Sequence, residues 1–146
     1  MPTVSDLIRM KSNHEIWSIS PDATVIDALR VLAEKNVGAL LVKSGENIEG
    51  IVSERDCVRK VDLQGKTSKE TRVRDIMTSH VLYLDINQSL EDCMAIMTEK
   101  KVRHLPVMEN QKLVGILSIG DILKEMISDQ KFMIEQLSRY ISGGGR

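Results

Sequence analysis

An internal duplication constrains the fold of this chain more than any other feature of its sequence. Residues 17–60 superpose on residues 82–125 without a gap when the sequence is shifted by 65 positions, and ten of the 44 aligned pairs are identical. A shorter echo, VSDLI at 4–8 and VRDIM at 73–77, lies at an offset of 69, so four residues are inserted near 11–15. Self-similarity at a fixed spacing indicates a fold built from two copies of one supersecondary unit.

Each copy carries the same pattern of predicted elements. A helix is expected to begin at Thr24 and at Ser89, because apolar residues then recur at the i, i+3, i+4, i+7 spacing of a half-buried helix. Two short apolar runs separated by a polar turn follow in each copy, and a second helix begins at Ser53 and at Ser118. With extended lead-ins at 16–19 and 81–84, the sequence predicts an α/β (α+β) fold of two pseudo-symmetric β-α-β-β-α repeats.

The predicted domain boundaries follow this duplication. Residues 1–66 form the first repeat with its N-terminal leader, 67–127 the second repeat, and 128–146 a C-terminal helical extension with a Gly-rich tail. The last helix keeps an apolar rhythm as far as Ile141, which is further than a repeat of this size can cover. We therefore expect its later part to pack on a second subunit, and the protein to be a homodimer.

Composition argues against several classes of partner. Twenty Lys and Arg against 21 Asp and Glu leave a net charge of −1, and the chain has only four aromatic side chains. Neutral charge and few stacking platforms disfavour nucleic acid, and no apolar run reaches the roughly 20 residues that span a bilayer. Cys57 and Cys93 lie in apolar helical patterns, so we expect buried free thiols and a cytoplasmic, reducing setting.

The pattern Gly-Ile-aliphatic-Ser-x-x-Asp occurs twice, as GIVSERD at 50–56 and GILSIGD at 115–121. In each copy a strand ends at a serine where a helix begins, and free backbone N–H groups make such a turn a natural anion site. The serine hydroxyl can bond a phosphate oxygen, and the aspartate can accept hydrogen bonds from a ribose diol. The alternative is a capping box that serves the backbone alone. Thr24-x-x-Asp27 and Ser89-x-x-Asp92 have the same spacing, so spacing does not separate the two interpretations.

Small or basic residues precede the first strand of each predicted hairpin. Gly38 and Ala39 leave room for a ring, whereas Arg103 and His104 in the second copy supply positive charge for a phosphate. The alternative is a solvated strand edge. Arg55 is also within reach of a phosphate at the first turn, or is an ordinary surface residue of a helix.

Catalytic and metal-binding patterns are not evident. His14, His80 and His104 have no metal-ligand spacing, and the cysteines form no Cys-x-x-Cys pair. The sequence contains neither a Gly-x-x-x-x-Gly-Lys loop nor a Gly-x-Gly-x-x-Gly fingerprint. We therefore expect that the protein is not an enzyme and binds no metal.

At these motifs, together with VGALLV at 37–42, VRHLPV at 102–107 and VRDIMT at 73–78, the chain resembles the cystathionine-β-synthase (CBS) domain pair, or Bateman module. More narrowly, it looks like the small bacterial signal-transduction proteins that consist of one CBS pair. The resemblance implies a regulatory module with two clefts between the repeats, each able to hold AMP, ATP or NAD(H), in a homodimer that signals to a partner in trans. The alternative is a dimerisation or scaffold module with vestigial clefts.

Residue roles carried over from the family define two predicted ligand sets. In the better set, Asp121 would hold ribose, Ser118 and Gly120 the phosphate turn, and Val37, Gly38, Ala39 and Ile16 would frame the adenine, with Arg103 and His104 near its phosphate. The mirror set comprises Asp56, Ser53, Arg55, Val102 and Val81. Arg103 stands there in place of Gly38, which argues against equal occupancy of both clefts.

Overall fold

The computed structural model describes residues 2–10 and 16–143, and in these it contains six α-helices, a short 3₁₀ turn and two three-stranded sheets. The insertion at 11–15, His14 and tail residues 144–146 lie outside the described residues. The elements in chain order are α1 Val4–Met10, β1 Ser18–Ile19, α2 Val25–Lys35, β2 Ala39–Ser44, β3 Asn47–Ser53, α3 Glu54–Lys60, the 3₁₀ turn Asp62–Gln64, α4 Val73–Ile76, β4 Leu84–Asp85, α5 Leu90–Lys100, β5 His104–Glu109, β6 Lys112–Ser118 and α6 Ile119–Gly143.

Both repeats form the predicted β-α-β-β-α unit, so the fold class is confirmed. In each sheet the first strand runs parallel to the second, and the second is antiparallel to the third. The register is the same in both sheets, since the pairs Ile19 with Val42 and Leu84 with Val107 are related by the 65-residue shift.

The lead-in strand of the second repeat begins later than predicted. The sequence pattern places it at 81–84, whereas β4 occupies Leu84–Asp85 and Val81 precedes it. In the first repeat the N–H of Leu41 donates to the carbonyl of Trp17 at 3.2 Å, just ahead of β1. Pro106 is the equivalent of Leu41 in the second repeat and has no N–H to donate. The corresponding hydrogen bond therefore cannot form, and the pairing of β4 with β5 begins further along the chain.

The first helix of each repeat begins as predicted. Thr24 and Ser89 are N-cap residues in extended conformation, and their hydroxyls accept the backbone N–H three residues later. Asn36 and Lys101 end these helices in the left-handed conformation, with φ of 54° and 56°. The predicted apolar stripes are buried at Val25, Ala28 and Leu32 in α2, and at Leu90, Cys93 and Met97 in α5.

The described chain divides into two compact units. Each unit contains one repeat together with the leader helix that precedes the other repeat in the sequence. One unit is residues 15–82, and it includes α4, whose Val73 N–H donates to the carbonyl of Ala23 at 2.9 Å. The other is residues 1–14 with 83–146, and it includes α1, whose Val4 N–H donates to the carbonyl of Gln88 at 3.0 Å. The domain boundaries predicted from the repeat are based on sequence order and stay a prediction. In the structure, each leader helix packs on the repeat that it does not precede in the sequence.

Each unit has its own aliphatic core. Cys57 is buried in the core of the first repeat and Cys93 in that of the second, both as free thiols, which confirms the expectation for them. In α6, Ile122 is fully buried and Met126 packs against the same core, but the side chains of 130–141 are all exposed. Across the described residues no helix is both long and apolar enough to cross a membrane.

Candidate functional site

The two Ser-x-x-Asp motifs form the same strand-to-helix turn. In the first, the Ser53 hydroxyl accepts the Asp56 N–H at 3.2 Å, and the Asp56 carboxylate accepts the Ser53 N–H at 3.0 Å. In the second, the corresponding distances between Ser118 and Asp121 are both 3.0 Å. Both motifs therefore form reciprocal capping boxes, and a ligand would have to share carboxylates that already serve the backbone.

Burial distinguishes these two carboxylates from a capping aspartate elsewhere in the chain. Asp27 caps α2 in the same way, with distances of 3.3 and 3.4 Å to Thr24, but its side chain is 51 % exposed. The side chain of Asp56 is only 19 % exposed, and the hydrogen bonds of Asp121 are likewise half-buried. A carboxylate that is partly shielded from water gains more from a hydrogen bond to a ligand hydroxyl than one in open solvent.

Strand pairing brings the small or basic dipeptides beside these turns. Ala39 pairs with Ser53, and the carbonyl of Gly38 accepts the first N–H of α3 at 3.1 Å. His104 pairs with Ser118, and the carbonyl of Arg103 accepts the first N–H of α6 at 2.8 Å. Within each compact unit, the structure thus places the predicted dipeptide next to the predicted turn.

The two turns differ in charge. Lys60 forms an ion pair with Asp56 at 3.2 Å and also donates to the carbonyl of Ile76 at 2.9 Å. The residue equivalent to Lys60 in the second repeat is Glu125. The strand that adjoins the second turn begins at the basic pair Arg103 and His104, and the strand that adjoins the first turn begins after Gly38 with Ala39.

The remaining predicted residues lie around these turns or at the strand lead-ins. Arg55 and Gly120 are exposed in the first turns of α3 and α6. Half-buried positions are occupied by Ile16, Val37, Val81 and Val102. The structure thus places Gly38 and Ala39 beside the first turn, and Arg103 and His104 beside the second. The grouping of the other predicted residues with these turns, and of residues from one repeat with those of the other, stays a prediction.

The glycines of the duplicated motif have a role that sequence reasoning missed. A Cβ at Gly50 would lie 2.6 Å from the Thr78 carbonyl oxygen and 2.9 Å from Met77 Sδ, and a Cβ at Gly115 would lie 2.8 Å from Ile8 Cδ1. Each glycine thus admits the leader segment that packs on its sheet. The signal was present in the sequence, since the leaders VSDLI and VRDIM are duplicated along with the glycines.

The described residues contain no cluster of three or more His, Cys, Asp or Glu side chains that could hold a metal ion. Burial raises the pKa of the Cys57 and Cys93 thiols to about 11. Neighbouring carboxylates add to the pKa increase, Asp56 for Cys57 and Asp92 for Cys93. Both thiols are protonated at neutral pH and are poor nucleophiles.

Comparison with known proteins gives a consistent result. The CBS domain profile matches residues 4–63 and 73–128. The mitochondrial CBS domain-containing protein CBSX3 of Arabidopsis thaliana is 35 % identical over 97 % of this chain and 73 % of its own length. A CBS-domain protein of Burkholderia ambifaria MC40-6, assigned to signal transduction, is 48 % identical with a TM-score of 0.84, over 88 % of this chain and 96 % of that one.

A hexameric CBS-CP12 protein from bloom-forming cyanobacteria shares the fold over nearly the full length. It is 25 % identical with a TM-score of 0.76, over 99 % of this chain and 88 % of that one. Proteins built on CBS pairs are in general regulatory or signalling modules, and self-association occurs among the structural neighbours. The two matched segments coincide with the two copies of the duplication, and the chain therefore belongs to the CBS domain family as a tandem CBS pair.

Proposed function

We propose that this chain is a sensor that binds an adenine nucleotide (AMP, NAD(H) or ATP) and transmits its binding to a partner protein in trans. The observation that carries the proposal is the half-buried Ser118–Asp121 turn beside Arg103 and His104. A serine hydroxyl and a helix start suit a phosphate, a carboxylate suits a ribose diol, and two basic side chains offset the charge of the phosphate.

The second turn is the better candidate of the two. At the first turn the Lys60 ammonium already lies 3.2 Å from Asp56 Oδ1, so a ribose hydroxyl would compete with an ion pair. The strand beside the second turn begins at Arg103 and His104, whereas Gly38 and Ala39 stand beside the first. Because these basic side chains favour a phosphate, we expect tighter binding at the Asp121 turn than at the Asp56 turn.

The output is proposed to act through the geometry of a homodimer. A ligand that contacts one dimer arrangement better than another shifts the population towards it, by at most its difference in affinity for the two. The proposal includes no catalytic step. Free buried cysteines also fit the reducing environment of the cytoplasm.

Thermal unfolding with AMP, ADP, ATP, NAD, NADH and S-adenosylmethionine tests the proposal. A ligand at about 100 times its Kd stabilises the folded state by about 2.7 kcal/mol, which corresponds to a rise in Tm of about 5–10 °C for a chain of this size. We expect an adenine nucleotide to produce this rise, and the Asp121→Asn variant to abolish it.

The choice of variant separates ligand binding from helix capping. Asp121→Asn keeps an oxygen that can accept the Ser118 N–H, and Asp27→Asn is the matched control because Asp27 caps α2 with the same spacing. The ligand-induced rise in Tm should survive Asp27→Asn and fall less in Asp56→Asn than in Asp121→Asn. An equal loss in all three variants would assign the effect to capping rather than to ligand contact.

A scaffold or dimerisation module is the second candidate function. It is favoured by the reciprocal capping boxes, in which both aspartates already have a structural role. It predicts no change in Tm with any of these ligands at millimolar concentration. That outcome would reject the sensor proposal and direct attention to protein partners.

A further inference from the structure

The second half of α6 exposes several large apolar side chains instead of burying them in the core of its own unit. Residues 130–143 are 14 residues, or about 21 Å of helix, and every described side chain from 130 to 141 is exposed. The large apolar side chains that α6 exposes are Leu123, Ile127, Phe132, Met133, Ile134, Leu137, Tyr140 and Ile141. Most of the stability of a helix in a protein comes from packing its apolar face, so these exposed side chains indicate a partner surface.

Five of these eight residues, together with Gln130, follow a heptad pattern. Alternating steps of four and three lead from Leu123 through Ile127, Gln130, Ile134 and Leu137 to Ile141. In heptad notation the three isoleucines occupy position a, and the two leucines and the glutamine occupy position d. This seam is distinct from the stripe that includes the buried Ile122 and Met126, which packs on the core of the unit.

We propose that the seam pairs with the same seam of a second copy of this chain, as a parallel, in-register, two-stranded coiled coil. Isoleucine at a with leucine at d is the combination that favours parallel dimers over larger bundles. A second copy is the partner that the surface itself specifies, because the pattern is self-complementary. The hexameric CBS-CP12 protein matches 99 % of this chain, so a self-associating relative has a counterpart to most of α6.

Gln130 sets the orientation and register. A single polar residue in such a seam specifies pairing, because its burial is tolerated only opposite a hydrogen-bonding partner. In a parallel, in-register pair the two Gln130 amides meet, and each offers both a donor and an acceptor to the other. A parallel pair shifted by one heptad would place the amide against Leu123 or Leu137 instead. In an antiparallel pair the two amides meet only when the pair is centred on Gln130.

The flanking positions are compatible with this arrangement. Met133 and Tyr140 occupy position g, beside the seam, and extend its apolar surface. In a parallel pair, position g approaches position e of the next heptad on the partner, so Met133 meets Ser138 there and like charges do not face each other. This inference does not depend on nucleotide binding.

Disulfide cross-linking tests the orientation directly. A cysteine at Leu137→Cys, in position d, lies close to its own copy only in a parallel, in-register pair, because an antiparallel pair centred on Gln130 sets residue 137 opposite residue 123. Glu135→Cys, at the outward position b, is the matched control, and the wild type controls for its two buried thiols. In a glutathione redox buffer we expect a covalent dimer for Leu137→Cys and none for either control.

Sedimentation equilibrium tests whether the seam contributes to association. Ile134→Lys buries two like charges at one a layer, so the dimer dissociation constant should rise at least about 100-fold. Gln136→Lys adds the same charge at the outward position c and should leave the constant unchanged. Absence of the Leu137→Cys cross-link, or a dissociation constant that Ile134→Lys leaves unchanged, would overturn the inference.

Discussion

Replacement of Gly50 by alanine probes the packing of the leader segment on the first sheet. The added Cβ would lie 2.6 Å from the Thr78 carbonyl oxygen, a distance that real Cβ atoms essentially never show. That carbonyl cannot retreat easily, because Thr78 is held to Ile51 by two backbone hydrogen bonds of 3.1 and 2.9 Å. The variant must therefore either displace the backbone that follows α4 or distort β3.

The magnitude follows from these two costs. Overpacking a close-packed site costs about 1–3 kcal/mol, and the loss of one backbone hydrogen bond adds about 0.5–1.5 kcal/mol. We expect Gly50→Ala to lower the free energy of unfolding by about 2–4 kcal/mol. Gly115→Ala should cost less, about 1 kcal/mol, because the atom that it meets at 2.8 Å is the end of the flexible Ile8 side chain.

Urea unfolding of the two variants and a matched control measures the effect. Gly120→Ala is the control, because its Cβ would meet only Ser118 Oγ at 3.6 Å, an ordinary contact. It should be neutral, or stabilising by up to about 1 kcal/mol through helix propensity. If Gly50→Ala unfolded within about 0.5 kcal/mol of the wild type, or Gly115→Ala cost more than Gly50→Ala, the packing argument would be wrong.

Two further predictions concern pH. The pKa of Cys57 and Cys93 is raised from 9.0 to about 11 in the folded chain, so between these values the unfolded chain loses its thiol protons first and the free energy of unfolding falls as pH rises. A Cys57→Ala, Cys93→Ala double variant should show a shallower decline in urea unfolding, and an identical decline would contradict the assignment. The pKa of Asp6 is lowered from 3.8, chiefly because its carboxylate accepts the Thr3 N–H at 2.9 Å. Its contribution is present above 3.8 and lost as pH falls through the lower, folded-state pKa, and an Asp6→Asn variant that kept the acid sensitivity of the wild type would refute this.

Much of the local structure was accessible from the sequence alone. The order of elements in each repeat, the starts of α2 and α5 at Thr24 and Ser89, and the burial of Cys57 and Cys93 were predicted correctly. These features depend on spacings of three or four residues, on capping side chains and on apolar periodicity, and all of these can be seen along the chain.

The candidate site was accessible only in part. The duplicated motif identified the two Ser-x-x-Asp turns, but the same spacing at Thr24 and Asp27 left site and cap indistinguishable. The structure shows that Asp56 is less exposed than the capping Asp27 and that Lys60 forms an ion pair with Asp56. Burial and the direction of a long side chain depend on neighbours that are distant in sequence, so spacing does not reveal them.

Sequence by itself thus determined the duplication, the fold class and the chemistry available at each turn. Tertiary structure decided which sheet each leader packs on, and so why Gly50 and Gly115 lack a side chain. It also decided the start of β4, where Pro106 removes a rung from the parallel ladder. The physical reason is that helix starts and apolar stripes depend on residues that are close in sequence. The packing at a glycine depends on a distant segment, which is almost 30 residues away for Gly50 and more than 100 residues away for Gly115.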